Sequence, residues 1–411
     1  MNQELTICNC GPYAVHRPGS LDDLTQLVRA AKAEQGALFP FGGQTRLQEG
    51  LPPQRTGTGI DMRSLSNVVD YPARDMTITV EAGMTVAKLQ EVLATENQRL
   101  PVDIFADEEA TIGGSLATNT CGPRRFGCGT FRDYLIGISV VNDEGQTVKA
   151  GGRVVKNVAG YDLGKLFIGS WGTLGILAQA TFKVVPKPEE QALVHFTIPT
   201  AKIGCVLDAL HESQTQPICI ELLNASLAKR YQQQWNIDVA DADWVVVVGF
   251  ESKTESVRWQ VQRLICELKT DFPLEAKVGP TTESLWQCLT NLPHPVKPFA
   301  KVQVSMLPGD IADFCRHQNE QSFGFQVHAG SGVVHMFVFD EMEQQAFTKW
   351  VTSTRNTLAT RNGTLVVKTC PDAWRTRELL WGQERNDLAM MRKIKQQLDP
   401  DNLFNPGRFL L

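Results

Sequence analysis

Between Ala110 and Ile176 the chain turns on glycine repeatedly, and this stretch constrains the fold more than any other. It runs through Ala110-Thr111-Ile112-Gly113-Gly114-Ser115-Leu116-Ala117-Thr118-Asn119 and Gly122-Pro123-Arg124-Arg125. It continues through Val155-Lys156-Asn157-Val158-Ala159-Gly160-Tyr161-Asp162-Leu163 and Gly169-Ser170-Trp171-Gly172-Thr173-Leu174-Gly175-Ile176. Glycine permits tight turns and lets a ligand approach bare backbone. A glycine pair opening an apolar helical pattern also predicts free N–H groups at a helix start, which suit an anion such as a diphosphate. These residues alone leave two readings open. One is a phosphate-bearing cofactor lying along the backbone; the other is a set of ordinary turns in a β-rich domain.

A chain of 411 residues has room for two or three domains. Its formal net charge of −5, with no long run of one sign, argues against a nucleic-acid partner. The longest apolar block near the middle, 244–250, is too short to cross a bilayer, so no transmembrane segment is expected. Met1-Asn2-Gln3-Glu4-Leu5 has neither a basic start nor an apolar run, so no secretory signal is expected. Ten cysteines are scattered without a Cys-x-x-Cys or an iron–sulfur spacing. They read as free thiols of a reducing compartment, which points to the cytoplasm.

Periodicity predicts a helix over 20–36 with Ser20 as its cap, a buried strand over 37–41, and a second glycine turn, Pro40-Phe41-Gly42-Gly43-Gln44-Thr45-Arg46. That turn is a second candidate phosphate contact. A strand over 77–81, a helix capped by Thr85 and running to about Glu96, a hairpin over 135–150 and a last strand over 176–185 follow. Pro186-Lys187-Pro188-Glu189-Glu190 reads as a linker. Beyond it, strands over 193–198, 218–223, 244–251, 300–305, 324–328, 333–339 and 364–369 alternate with helices over 200–213, 252–271, 310–318 and 341–360. Each half has the order β-α-β-β-α-β, which predicts an antiparallel sheet backed by helices, one face left to cover a ligand. A helix over 384–398 and a turn-rich tail, 399–408, close the chain.

These motifs resemble the FAD-binding oxidoreductases of the vanillyl-alcohol-oxidase (PCMH-type) superfamily. Within it, the nearest resemblance is to FAD-binding subunits of glycolate-oxidising (glycolate dehydrogenase) complexes. The resemblance implies an α+β fold: a PCMH-type FAD-binding domain over 1–188, an α/β cap domain over 189–380 with an antiparallel sheet of β-α-β-β-α-β units, and a C-terminal helix and tail over 381–411 packing back on the first domain. It assigns Pro40, Gly42, Gly43, Gln44 and Thr45 to the loop that wraps the diphosphate. Thr111, Ile112, Gly113, Gly114 and Asn119 match the second diphosphate and flavin-side segment. Gly122 and Gly129 match positions beside the isoalloxazine, and Gly175 with Ile176 the segment meeting the adenine side. The first glycine loop lacks the histidine that holds flavin covalently in some relatives, so FAD is expected to be noncovalent. Cys128 stands where close relatives often carry tyrosine, and Trp171 where catalytic relatives usually show glutamate.

The segment His328-Ala329-Gly330-Ser331-Gly332-Val333-Val334-His335 is similar to the family's His-x-Gly-Asp-Gly-Asn-x-His metal motif, but Ser331 and Val333 replace the acid and the amide. The later strand offers Lys368 and no glutamate. His328 and His335 are therefore weak candidates for a metal site, and the ligand count favours none. The resemblance implies an FAD-dependent oxidoreductase acting on the CH–OH group of a small 2-hydroxy acid, glycolate first, as part of a complex with a homologous FAD-containing catalytic subunit and an iron–sulfur subunit. It implies a cytoplasmic protein, held at most peripherally at the inner membrane through that complex. The alternatives are a self-sufficient D-2-hydroxy-acid dehydrogenase and a non-catalytic, flavin-bearing structural or electron-relay subunit.

Overall fold

The computed structural model describes residues 4–152, 162–231, 239–241, 243–268, 275–294, 296–318, 323–383 and 386–409. The motif 155–163 lies mostly outside these residues. Three multi-stranded sheets organise the chain. The first is four-stranded: a hairpin of Glu4–Ile7 and Cys10–His16, then Gly57–Asp61 and Ala37–Phe41, which pair in parallel. The second has five strands in the order Val68–Asp70, Thr77–Glu81, Ile176–Lys183, Leu135–Val141, Thr147–Gly151, all antiparallel.

Local chemistry sets the helices that brace these sheets. Ser20 Oγ accepts from the Asp23 N–H at 3.1 Å, Asp22 and Asp23 occupy the first turn, and Leu24, Thr25 and Val28 form the buried stripe of the helix Leu21–Ala33. Thr85 caps Val86–Ala94 in the same way, through Lys88 N–H at 3.2 Å.

The third sheet comes wholly from residues 190–369. It has eight antiparallel strands in the order Glu275–Val278, Glu190–Pro199, Asp243–Ser252, Cys219–Asn224, Phe323–His328, Val333–Val338, Ala300–Ser305, Thr364–Thr369. Each half is one β-α-β-β-α-β unit, and the halves meet through their second strands, Cys219–Asn224 against Phe323–His328. Helices Ile203–Glu212, Thr254–Leu268, Ile311–His317 and Gln344–Ala359 contribute their buried residues to the core on one face. On the other face the two halves differ. The first is covered by Leu285, Trp286 and Leu289 of the helix Glu283–Thr290. The second carries Lys301, Gln303 and Ser305 at alternate positions of Ala300–Ser305, and these line a cavity.

The expected linker is not loose. Val185–Pro186 pairs with Gln98–Arg99, the Lys187 N–H donates to Asn97 O at 2.9 Å, and the next strand starts at Glu190. Only residues 187–189 separate the two strands.

The tail is fixed as well. Leu38 N–H donates to Leu403 O at 2.8 Å and Asn405 N–H to Leu38 O at 2.9 Å, so the tail extends the first sheet at Leu38. Buried Asp399 accepts from the N–H groups of Leu403 (2.8 Å) and Phe404 (2.9 Å) and pairs with the Lys395 ammonium, which also reaches Thr173 O at 2.7 Å. Arg408 donates to the carbonyls of Leu47 (2.6 Å), Glu49 (2.8 Å) and Leu51 (2.6 Å). Asp399→Ala takes the anionic partner from a buried ammonium and the acceptor from two N–H groups, at a cost of about 3–5 kcal/mol. The expected result is early proteolytic cleavage within 399–409, read by mass spectrometry; a wild-type cleavage pattern contradicts it.

Candidate functional site: a backbone groove opening on a cationic cavity

The strand Ala37–Phe41 ends in the turn 40–46, and the strand Thr77–Glu81 leads through Ala82 to the segment 110–118. These two segments face each other across a groove with about 970 Å³ of empty space, part of it open to solvent. They lie so close that glycine is required. A Cβ on Gly42 would stand 2.1 Å from Thr111 Oγ1, and one on Gly43 would stand 1.8 Å from Glu109 O. Pro40, Gly42, Gly43, Gln44, Thr45, Thr111, Gly113, Gly114, Gly175 and Ile176 all line this groove, with an apolar wall of Met62, Ala82, Ile104 and Leu177. Trp171, Asn405 and Arg408 close one end, and Asn405 Nδ2 donates to Trp171 O at 2.8 Å.

The remaining sequence candidates fall elsewhere. Ile112 is buried in the core below the groove. Asn119 and Gly122 line the adjoining cavity. Gly129 lines neither; its φ of +85° ends a short helix, and a Cβ there would meet Asp133 Oδ2 at 2.6 Å.

One expectation needs correcting. The helix Ile112–Thr118 does not offer free N–H groups. Ile112 N–H donates to Met84 O (2.9 Å), Gly113 N–H to Ala82 O (2.7 Å), Gly114 N–H to Thr111 Oγ1 (3.3 Å) and Ser115 N–H to Thr111 O (2.9 Å). Two of those donors go to the carbonyls of Ala82 and Met84, in the turn after the strand Thr77–Glu81, and two go to Thr111 itself. The amides of Gly43, Gln44, Thr45 and Arg46, by contrast, donate to no described residue. Four consecutive unpaired N–H groups in a turn form an anion-binding concavity. The first glycine loop, and not the second, therefore carries the backbone donors.

Arg46, Phe105, Thr118 and Thr120 line both the groove and a second, larger cavity of about 1,320 Å³ of empty space, so the two are continuous. The far wall is the polar face of the eight-stranded sheet. Lys301 and Gln303, His335, Gln326 with His328, and Lys368 come from four neighbouring strands. His328 Nδ1 lies 2.6 Å from Glu221 Oε1, its partner across the strand pair. Gln326 Nε2 donates to Glu221 Oε2 at 3.1 Å, and the His328 and His335 rings stand edge to face at 5.1 Å. Burial raises the Glu221 carboxyl, with His328 opposing. Burial also holds His335 well below its ordinary value, reinforced by His328, Arg46, Lys368 and Lys301, so His335 is neutral. Among the described residues no three His, Cys, Asp or Glu side chains converge as ligands for a metal ion.

Glu221 was not visible in the sequence reading. Its only signal is a lone acid inside the apolar strand Cys219–Asn224, and its partner lies in the other half of the sheet. Arg46, Glu49 and Lys301 were also missed. Arg46 pairs with buried Glu49 at 2.6 Å. Burial alone would raise the Glu49 carboxyl, but Arg46, Lys368 and Lys301 hold it below its usual range. Cys128 lines neither space, and burial pushes its thiol up to about 11. None of the ten cysteines forms a disulfide. Among the described residues no helix is long and apolar enough to cross a membrane.

Comparison with known proteins agrees with this geometry. Residues 12–151 match the FAD binding domain family, and residues 185–409 match the C-terminal domain of FAD linked oxidases. The chain is 26% identical to a D-2-hydroxyglutarate dehydrogenase of Xanthomonas citri pv. viticola, over 97% of this chain and 89% of that one. It is 32% identical to glycolate oxidase subunit GlcE of Escherichia coli, over 48% of this chain and 55% of that one. The structure of an alkyldihydroxyacetonephosphate synthase superposes with a TM-score of 0.69 at 19% identity, covering 96% of this chain and 77% of that one, which establishes a shared fold.

Proposed function

This chain belongs to the FAD-linked oxidases, and we propose that it works as the FAD-binding subunit of a 2-hydroxy-acid dehydrogenase, with glycolate and its product glyoxylate as the first pair to test. The observation that carries this reading is the continuity of the glycine groove with a buried, cation-lined cavity. One compartment suits a dinucleotide and the other an acid, and they share a wall. The division proposed is an FAD-binding part over 1–188, a cap over 189–380, and a helix and tail over 381–411 that lock the groove.

The residues present fit FAD. The free amides of Gly43, Gln44, Thr45 and Arg46 would hold the diphosphate, and the open side of Gly114 leaves room for a flat ligand along the backbone. Met62, Ala82, Ile176 and Leu177 would exclude water from its rings. Bound FAD supplies the two-electron acceptor that a CH–OH oxidation needs. The chain's own residues do the rest. Lysines of the cavity attract the carboxylate, and Glu221 orients the His328 ring so that Nε2 is left to meet a hydroxyl proton.

Electrons would leave through an iron–sulfur partner, since the cysteine spacing offers no cluster site in this chain. The reading carries with it a homologous flavin subunit and a cytoplasmic complex that meets the inner membrane only peripherally. A second reading, a self-sufficient dehydrogenase, is favoured by one observation: the Glu221–His328 contact gives this cavity an oriented imidazole of its own.

The expected result is that acid precipitation releases all flavin as FAD, and that anaerobic glycolate bleaches the flavin quickly only when partner subunits are added. Fast bleaching of the isolated chain promotes the self-sufficient reading. Bleaching by no 2-hydroxy acid, with or without partners, overturns the proposal.

A further inference from the structure

The groove and the cavity meet at a neck. Four residues line both spaces: Arg46, Phe105, Thr118 and Thr120. Three of these side chains are engaged with polar partners. Arg46 pairs with Glu49 at 2.6 Å, Thr118 Oγ1 donates to Gly114 O at 2.8 Å, and the two threonine hydroxyls lie 2.7 Å apart. Phe105 is the one apolar side chain of the four, half-buried at the junction.

Its ring is held in place. The Arg46 guanidinium carbon and the Lys301 ammonium each lie 5.3 Å from the ring centre, within the ~6 Å reach of a cation–π contact. A ring that swings out of the neck loses both partners. The backbone that carries it is fixed as well. Ala106 sits at φ +51°, a left-handed conformation uncommon for a residue with a side chain. Its N–H donates at 2.8 Å to Oδ1 of Asn291, which follows the helix Glu283–Thr290. Its carbonyl accepts from the N–H groups of Glu109 (3.0 Å) and Ala110 (2.7 Å). The ring therefore has no easy retreat with its loop.

We propose that Phe105 is a specificity-determining residue: its ring narrows the neck, so that the site admits glycolate and turns away 2-hydroxy acids whose C2 carries an alkyl chain of several carbons. This rests on the 2-hydroxy-acid reading above and adds a limit on chain length. The argument is one of space. An acid held by its carboxylate in the cavity, with C2 turned to a flavin in the groove, straddles the junction. Any substituent on C2 then competes with the ring for the neck. Fixed bulk of this kind penalises the wrong ligand and requires no added contact with the right one.

Binding can be read without turnover. The FAD-loaded full-length protein is titrated with acetate and with hexanoate, unreactive analogues of glycolate and 2-hydroxyhexanoate, by flavin absorbance and calorimetry. The expected result is that hexanoate binds about tenfold or more weakly than acetate. Phe105→Ala should raise the ratio of hexanoate to acetate affinity by about tenfold or more, and Phe105→Leu by a smaller factor. Phe105→Leu keeps an apolar side chain at the neck and carries the test should Phe105→Ala fail to hold flavin. A ring that only packs against the alkyl chain predicts the opposite signs: hexanoate is the tighter ligand of the wild-type protein, and the ratio falls when the ring is removed. Wild-type affinity for hexanoate equal to or above that for acetate overturns the proposal without recourse to any variant, and so does a ratio that stays level or falls in the variants. Reduction of the flavin by 2-hydroxy acids is scored separately. Size-selective binding without any flavin reduction supports the role of Phe105 and rejects the enzymatic reading. Flavin reduction with equal kcat/KM for glycolate and 2-hydroxyhexanoate rejects the role of Phe105 alone.

Discussion

Gly43→Ala will yield a folded protein carrying roughly a tenth or less of the wild-type flavin. A single methyl group suffices because of where it must go. The Cβ would stand 1.8 Å from Glu109 O and 2.5 Å from its carbonyl carbon, both backbone atoms that cannot rotate away. The loop has to withdraw by more than an ångström, and it carries the four free amides from Gly43 to Arg46. Relief of such an overlap costs about 1–3 kcal/mol, and the displaced donors lose most of their alignment with a diphosphate. Gly114 supplies the contrast. A Cβ there meets only Thr111 Oγ1, at 3.2 Å, and otherwise points into open space. Gly114→Ala should keep much of its flavin, and Gly114→Leu should lose it through blockage of the groove with little change in the melting of the flavin-free protein. Gly113 differs again: its Cβ would press on Ala82 Cβ at 3.0 Å and Ala82 O at 3.1 Å, so Gly113→Val should lower stability first and flavin content as a consequence. Flavin released by acid, per mole of protein, distinguishes the three. Wild-type flavin content in Gly43→Ala would place the diphosphate elsewhere.

The contrast among these glycines marks how far sequence reaches. The strands Thr77–Glu81, Ala300–Ser305 and Thr364–Thr369 were legible to the residue, because polar and apolar side chains alternate with period two; the last two follow that pattern in their burial, while Thr77–Val80 are buried throughout. The hairpin Glu4–Ile7 and Cys10–His16 was not: the first strand alternates over four residues only, and the second buries Tyr13 alone. The groove's glycines were legible as a set, through family resemblance, but their individual jobs were not. Whether a glycine is there for a ligand or for a neighbouring strand depends on which backbone packs against it. The same holds for donors: Ile112–Thr118 looks like an anion-binding helix start until the carbonyls of Ala82 and Met84 and the two oxygens of Thr111 take its N–H groups. Glu221 and His328 are 107 positions apart, and only the joining of the two half-sheets brings them into contact. Lys301 and Lys368 share a cavity because alternation puts both on the face of the paired Gln303 and Val366, and which strands become neighbours has no signature in one strand alone.

A second large effect is expected where the groove-bearing segment meets the eight-stranded sheet. Arg124 follows Gly122-Pro123, and its side chain is almost wholly buried. Nη1 lies 2.6 Å from Asp103 Oδ1, Nε 2.6 Å from Glu251 Oε1, and the guanidinium stacks 3.9 Å from the centre of the Trp286 ring. Its own N–H donates to Asp103 Oδ2 at 2.7 Å. Arg99 forms a second ion pair with Glu251, whose side chain is 1% exposed. Arg124→Met keeps the length of the side chain and removes the charge, leaving Asp103 without its guanidinium and Glu251 with Arg99 alone. Truncating one partner of such a buried network costs about 3–5 kcal/mol. The pH dependence has a definite sign. Burial alone would raise the Glu251 carboxyl, but Arg124 and Arg99 hold it below its ordinary value of 4.5. A depressed carboxyl contributes stability above its ordinary value and loses it as pH falls through the folded one. The gap between wild type and Arg124→Met should therefore be widest near neutral pH and close as the solution is acidified below that value. Adding Glu251→Gln to Arg124→Met should recover part of the loss, because the uncompensated charge goes with it. Urea unfolding followed by tryptophan fluorescence measures all three proteins. A difference under about 1 kcal/mol at neutral pH, or a gap that widens on acidification, would show that this network does not fasten the eight-stranded sheet to the groove-bearing segment.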